Sequence, residues 1–505
     1  MSSDWRDIYI GVLICATLVG GVCCGMKERK VPPLPPGPRP IPIIGNIRGI
    51  SINAPWLAYT EWGKQYGDIV YSHLFGQHIV VINSEKVAIE LLKNRSYNYS
   101  DRPDLPTNAL FGFGFNTILM KYGARWRCQR RIFHQAFRAE AALSYRPMQQ
   151  RKAQQLIRDM LDTPEEFQNH VHVFSSSVIM SASYDYDTKH NDPLVELIGK
   201  SLKLAVEELR PDVAAVFIAL PILLRLPAWF PGMSIKKKAT QSREWLPVWM
   251  NKPFQYVLER TAEGTAQSSM VSNALRRIDG KDSSDEMTII KECAATAFGA
   301  ASETTTSVLQ VFILAMVLFP EVQVKARTLI DAVVGTSRLP TFEDRSSLQY
   351  IDAILRETLR WHPILPLSTP HASLNSDVYE GYYIPKGATV MPNVWAMSRN
   401  EQKYPNPSQF SPERFLNAEG DLNDDTVDMA FGFGRRICVG RHFADASVWI
   451  AMSSLLAMFT FSKRIGADGQ AIEFEPQWSS GLAIHPLPFP CSITPRLRKV
   501  DIYDH

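Results

Sequence analysis

The chain has 505 residues, 45% of them apolar and 21% charged, which is ordinary globular composition and excludes a disordered or low-complexity polypeptide. A formal net charge of +3, with no basic run longer than Lys236-Lys237-Lys238, argues against a nucleic-acid partner. The seven cysteines lie at 15, 23, 24, 128, 293, 438 and 491; they form no CxxC pair and no framework spacing, which speaks against a disulfide scaffold or a zinc cluster and fits a reducing compartment.

The first segment, Ile8 to Met26, carries no charge and runs directly into Lys27-Glu28-Arg29-Lys30. At about 1.5 Å rise per residue it matches the thickness of a bilayer core. A cleaved signal peptide would begin with a basic stretch, whereas Asp4, Arg6 and Asp7 stand here, so one uncleaved transmembrane helix is expected. The basic cluster behind it keeps the body on the cytosolic side. Val31 to Asn46 (VPPLPPGPRPIPIIGN) follows, and its repeated prolines call for an extended strap. Length alone allows three domains, but no repeat, second linker or charge block appears after Ser51. The expected organisation is an anchor over 1–30, a strap over 31–46 and one domain over 47–505.

Within that body, β-type runs occur at Ile69–Leu74, His78–Asn83 and Val378–Ile384, and helical patterns dominate elsewhere. Asn94-Arg-Ser and Asn98-Tyr-Ser are glycosylation sequons that a cytosolic body would leave unused. Thr288 to Phe319 is long, apolar and ended by Pro320, long enough to pass for a second membrane span. Ser302-Glu303-Thr304-Thr305-Thr306-Ser307 in its middle makes it a buried core helix with a polar notch, because a carboxylate is costly in lipid.

The strongest local signal is Phe431-Gly-Phe-Gly-Arg-Arg-Ile-Cys438-Val-Gly440. Three glycines around one cysteine describe a tight loop in which backbone approaches something flat and large. The apolar stretch Phe443–Phe461 follows, so Cys438 stands just before a helix N-terminus, where free N–H groups stabilise a thiolate. A lone cysteine in a glycine-rich turn is usually structural; the full spacing F-x-x-G-x-R-x-C-x-G moves the balance.

This loop resembles the haem-binding loop of the cytochrome P450 family at every fixed position. The resemblance extends over nearly the whole chain. It implies a mainly α fold with a small β-rich lobe, enclosing one haem b with Cys438 as axial thiolate to the iron. Glu357-Thr-Leu-Arg360 resembles the family's ExxR. Phe410-Ser-Pro-Glu-Arg414-Phe415 resembles its PERF element, and Glu357, Arg360 and Arg414 are assigned to the fold. Trp126 and Arg130, one turn apart, together with Arg436 and His371, are similar to the family's propionate-side residues. Phe431, Gly432 and Gly440 complete the cofactor-binding set. Ala300-Ala-Ser-Glu303-Thr304-Thr305 resembles the oxygen-activation notch, with Thr304 and Glu303 as a proton-relaying pair. A Thr-rich helix bend is the plain alternative. Ala301 stands where the family usually has Gly, and Arg399-Asn400 where it often has His-Asp.

The resemblance further implies oxygen insertion into a C–H or C=C bond. Electrons would come from NADPH through a separate NADPH-cytochrome P450 reductase, docked by basic groups such as Arg435, Arg441 and Lys463. Expected pocket walls are Asp104–Asn116, Pro211–Gly232, Ala297–Ala301, Ile364–Thr369 and Ser480–Ala483. Phe111, Phe113, Phe115, Leu365 and Leu482 are candidate linings, and core packing is as good a reading for each. Pro211–Gly232 is apolar enough to dip into a bilayer. The expected location is the endoplasmic reticulum membrane, single-pass, with the catalytic domain in the cytosol. Similarity to fungal natural-product members points to a lipophilic terpenoid substrate, with an indole, tryptamine-type or other aromatic metabolite as the alternative. A reductase-independent haem-thiolate isomerase or dehydratase is the competing enzyme class, and a haem sensor or sterol-binding protein the non-enzymatic one.

Overall fold

A computed structural model describes residues 32–496 apart from 43, 52, 190–191, 209–213, 215–216, 219, 231–232 and 279–283. The expected anchor at 1–30 lies outside the described residues. Among those described, the longer helices are α1 (Pro55–Tyr66), α2 (Ala124–Phe137), α3 (Arg146–Asp162), α4 (Phe167–Tyr184), α5 (Pro193–Glu208), α6 (Ile235–Ala262), α7 (Ser284–Leu318), α8 (Pro320–Val333), α9 (Gln349–Trp361) and α10 (Arg441–Met458). The strands are β1 (Ile69–Leu74), β2 (Gln77–Ile82), β3 (His371–Ala372), β4 (Asp377–Tyr379), β5 (Tyr382–Ile384), β6 (Thr389–Pro392), β7 (Phe459–Lys463) and β8 (Cys491–Pro495).

The main sheet has the order β1-β2-β6-β3, with β2 and β6 parallel and the other pairs antiparallel. Leu74 pairs with Gln77 across the two-residue turn Phe75-Gly76, both at positive φ, the backbone twist that suits a tight hairpin. The expected strand Val378–Ile384 is instead two strands, β4 and β5. Glu380 and Gly381, again both at positive φ, turn the chain back after Tyr379. Helix α10 also ends sooner than its apolar run, at Met458, because Phe459–Lys463 pairs with β8.

The proline strap is bound to two sheets, at β1 and at β5. Tyr71 N–H donates to Pro36 O at 2.9 Å and Tyr383 N–H to Pro33 O at 2.7 Å, while Gly45 bridges to Leu74. Each bond uses a carbonyl, the one backbone hydrogen-bonding group a proline keeps. Of the two sequons, Asn98 is buried and engaged at both ends of its amide. Its Nδ2 donates to Asn375 O and its Oδ1 accepts from Asn375 N–H, so it is closed to modification in the folded chain.

Helix α7 is the one described helix long and apolar enough to cross a membrane. Most of it is buried within the protein, and it carries buried Ser302, Thr305, Thr306, Ser307 and Gln310. It packs against α2, α4, α6, α9 and α10 and is the centre of the core. Phe319 breaks from it and Pro320 opens α8, where the missing N–H costs nothing.

Beneath the core, Glu357 and Arg360 of α9 are both fully buried. Arg360 grips the carboxylate with two bonds of 2.6 and 2.7 Å. Arg414 Nε and Ser411 N–H donate to Glu357 Oε1 at 3.2 and 2.7 Å. Arg360 also holds Ser398 O and Pro407 O, so one ion pair fixes three stretches of chain. Arg399 joins the same block. Its guanidinium lies over the Trp395 ring and donates to Trp361 O at 2.9 Å, a packing role for a residue whose neighbour Asn400 caps the next turn.

Candidate active site

The loop of Cys438 is shaped by two glycines at positive φ, Gly432 and Gly434. At Gly434 a Cβ would meet Leu92 O at 1.9 Å, so only glycine fits against the 89–94 segment. Cys438 N–H donates to Phe431 O at 2.7 Å, which closes the loop, and α10 starts three residues later at Arg441. The side chain of Cys438 is exposed although it lies deep among the surrounding chain. Burial raises the thiol's pKa, opposed by the Gly440 N–H, Arg130 and Arg441. No group of three or more His, Cys, Asp or Glu suited to a metal occurs among the described residues.

Three arginines surround this loop. Arg436 donates to Ser100 O and Met120 O at 2.8 Å and to Thr117 O at 3.3 Å, and stacks on Trp126 with 4.3 Å to the ring centroid. Arg130 donates to Ile437 O at 2.7 Å. Arg102 donates to Ile118 O, Thr369 O and Pro370 O at 2.8, 2.8 and 2.7 Å. All these acceptors are neutral carbonyls. Burial pushes all three guanidiniums below their ordinary range, Arg436 to about 10, and the Arg102–Arg436 proximity adds to it. Their carboxylate neighbour, Asp101, is bonded to Tyr122 N–H. Arginine keeps its proton under such pressure, so the cluster is short of negative charge.

His371, on β3, completes this layer. It is buried, and its Nδ1 lies 2.7 Å from Tyr99 O. A carbonyl can only accept, so Nδ1 carries the proton. Burial, then Arg102, hold His371 well below the usual imidazole pKa and keep it neutral. A thiol beside three arginines that share one carboxylate neighbour suits haem, whose iron takes a sulfur ligand and whose two propionates need cations. The residues present fit that group.

The second half of the site is the middle of α7. The helix is buried from Glu292 to Phe298 and from Thr305 to Val317, but Gly299, Ala300, Ala301, Glu303 and Thr304 are only partly so. Thr304 Oγ1 donates back to Ala300 O at 2.8 Å. The plain helix-bend reading and the notch reading thus describe the same hydroxyl, whose proton is engaged while its lone pairs are free. Glu303 lines a cleft of about 1430 Å³ between α1, α4, α5, α7 and the 476–487 loop, shared with His172, Ser176, Ser307 and Arg399. None of Trp126, Arg130, Arg436 or Cys438 lines that cleft. Hydrogen bonds do not join the two halves directly. Packing of α7 on α2 and α10 brings them together, and Thr117, whose carbonyl holds Arg436, links to α7 by its N–H to Thr296 Oγ1 and through Gln129 to Glu292.

Of the candidate linings, Phe111 and Phe113 take the core reading, the latter packed edge-on to Trp249, and Phe115 is nearly as buried. Leu482 is exposed. Arg435 is exposed and donates to Tyr122 Oη at 2.7 Å, and Lys463 is paired with exposed Glu473. Arg102 was missed: an arginine before Pro103 has no signature, and its partners lie 267 residues away.

Comparison with known proteins bears on the whole chain. The family model described as Cytochrome P450 matches residues 35–491. Cytochrome P450 monooxygenase claR of Ampulloclitocybe clavipes is 39% identical over 469 residues, covering 92% of this chain and 86% of its own. Cytochrome P450 monooxygenase ple1 of Rhodocybe pseudopiperita is 36% identical, covering 94% and 92%. Cytochrome P450 monooxygenase 208 of Postia placenta is 37% identical, covering 98% and 96%.

Proposed function

This chain belongs to the cytochrome P450 family and is a monooxygenase with a haem-thiolate cofactor fed by a redox partner; from that premise we propose which residues build its site and what it oxidises. Cys438 would hold the haem iron through its sulfur. Arg102, Arg130 and Arg436 would hold the propionates, with His371, whose one proton is donated to Tyr99 O, as a neutral wall beside them; Trp126 stacks behind Arg436, and Phe431, Gly432 and Gly440 would let the loop backbone lie close to the ring. The observation that carries this reading is the set of three buried guanidiniums beside the Cys438 loop, bonded to neutral carbonyls and sharing Asp101 as their carboxylate neighbour.

When bound, haem supplies the oxygen-activating chemistry. The chain's part is to hold, orient and supply protons. Arg130 pins the loop at Ile437 O beside the sulfur. Thr304 presents hydroxyl lone pairs on the open face of α7, and Glu303 takes up protons from the cleft it lines and passes them through water toward Thr304. Ala300 and Ala301 leave room on that face.

The proposed substrate is a lipophilic terpenoid of fungal secondary metabolism, hydroxylated or epoxidised; apolar residues at Ala297–Ala301 and Ile364–Leu365 support it. NADPH is the proposed electron source, through a separate membrane reductase. The proposed location is the endoplasmic reticulum, with the 1–30 segment as anchor and the 47–505 body facing the cytosol. Exposed Leu220, Ile222, Trp229 and Phe230 support a second contact with the bilayer.

The test is an absorbance titration of the purified haem-loaded protein with sesquiterpenes, diterpenes, sterols, fatty acids and tryptamines. A saturable low-to-high-spin change confined to terpenoids is expected. A change with tryptamines alone overturns the substrate class and leaves the monooxygenase standing.

A further inference from the structure

Four consecutive carbonyls of α7, Ala300 to Glu303, each accept a side-chain hydroxyl. Thr304 donates to Ala300 O, Thr306 to Ser302 O and Ser307 to Glu303 O, each at 2.8 Å. These three are bonds of the helix to itself, which compete with its ladder and bend it. The hydroxyl at Ala301 O comes from elsewhere: it is Ser175 Oγ of α4, at 3.2 Å, which also lies 2.6 Å from Ser302 O.

The distinction matters physically. A hydroxyl of the same helix moves with the turn it bonds, so it loosens the turn without placing it. A hydroxyl on a neighbouring helix fixes the carbonyls relative to that neighbour. Ser175 is 2% exposed and has a single proton, shared between two carbonyls of the turn that carries the open face. Next to it, Ser176, 1% exposed, meets Ser302 at 2.8 Å, but hydroxyl to hydroxyl, without touching the backbone ladder. The partly buried stretch of α7 coincides with the turn that Ser175 ties to α4.

We propose that Ser175 is a positioning residue that ties the 301–302 carbonyls of α7 to α4 and so sets the space in front of Thr304. It rests on the haem-thiolate reading, which puts a ligand groove in that space. Without the Ser175 bond the turn is no longer tied to α4, and the groove narrows.

The test uses the full-length holoenzyme and imidazole, which must enter the groove to ligate ferric haem. S175A is expected to weaken imidazole binding about fivefold, the equivalent of one hydrogen bond. S176A, equally buried, should stay within about twofold, since it removes no bond to the ladder, and S175T, which keeps the hydroxyl, should return to the wild-type value. A purely structural role lowers thermal stability alike in both alanine variants and leaves imidazole affinity alike. Unchanged affinity in S175A, or equal weakening in S175A and S176A, overturns the proposal. If S175A holds too little haem, S175C, similar in volume but a weak donor, carries the same comparison. The reduced carbon monoxide spectrum of the wild type separates the two claims. Without a thiolate signature there, the haem reading falls; with it, an unchanged S175A overturns the latch alone.

Discussion

Arg102 makes three hydrogen bonds, all to carbonyls, and none of its acceptors is charged. Its charge is therefore available to a ligand, whereas its geometry is fixed by the protein. Substituting Arg102→Gln removes a charge-assisted contact of about 1.5–3 kcal/mol, so haem should pass to apomyoglobin roughly ten- to a hundredfold faster than from the wild type. An unchanged transfer rate would remove Arg102 from the propionate set. His362 gives a pH prediction at the same scale. It is 6% exposed, stacked on Trp478, and its Nδ1 is buried without a partner. Burial, then Arg399, hold it well below the usual imidazole value of 6.5, so it stays neutral when folded. A lowered folded pKa means the unfolded chain takes the proton first. The stability is full above pH 6.5 and is lost as pH falls below it, by about 1.4 kcal/mol per pH unit. His362→Phe keeps the stack and should flatten the fall of melting temperature between pH 7 and about 5.5; parallel curves for the two proteins would contradict this.

At the scale of elements, the buried Glu357 carboxylate sits between Arg360 and Arg414 and ties α9 to the Pro412–Phe415 turn. Glu357→Gln leaves two guanidiniums facing a neutral amide, and should cost about 3–5 kcal/mol in denaturant unfolding, since a broken buried pair leaves uncompensated charge. A loss under about 1 kcal/mol, the range of an exposed pair, would show that the network is ornamental to the fold. Elements were legible where the pattern is local. The Pro320 boundary of α7 and the strands at 69–74 and 78–83 follow from hydrophobic runs and breakers. The misreadings at Val378–Ile384 and Phe459–Phe461 have one origin. A run of apolar residues does not say where it turns: Glu380-Gly381 is a weaker turn signal than Asn-Gly, and β8, which claims β7, is about thirty residues downstream.

For the molecule as a whole, the site is an assembly of segments distant in sequence. Arg102, Arg130, His371 and Cys438 come from four stretches, and the main sheet pairs β2 with β6 across the length of the chain. Motif spacing singled out Trp126, Arg130, Glu303, Thr304, Arg436 and Cys438 for the proposed site because each motif is short and self-contained. It could not locate Arg102, nor the hold of Ser175 on α7, because those depend on tertiary neighbours alone. It also could not distinguish core phenylalanines at 111 and 113 from pocket walls, since both environments select the same side chain.

The central claim, that Cys438 is the sulfur which holds iron over the arginine layer, is tested most directly by the carbon monoxide difference spectrum of the reduced protein. Wild type should give the red-shifted band of thiolate ligation, and Cys438→His should bind haem yet lose that band. A Cys438→His protein that kept the thiolate spectrum would place the ligand elsewhere and contradict the account.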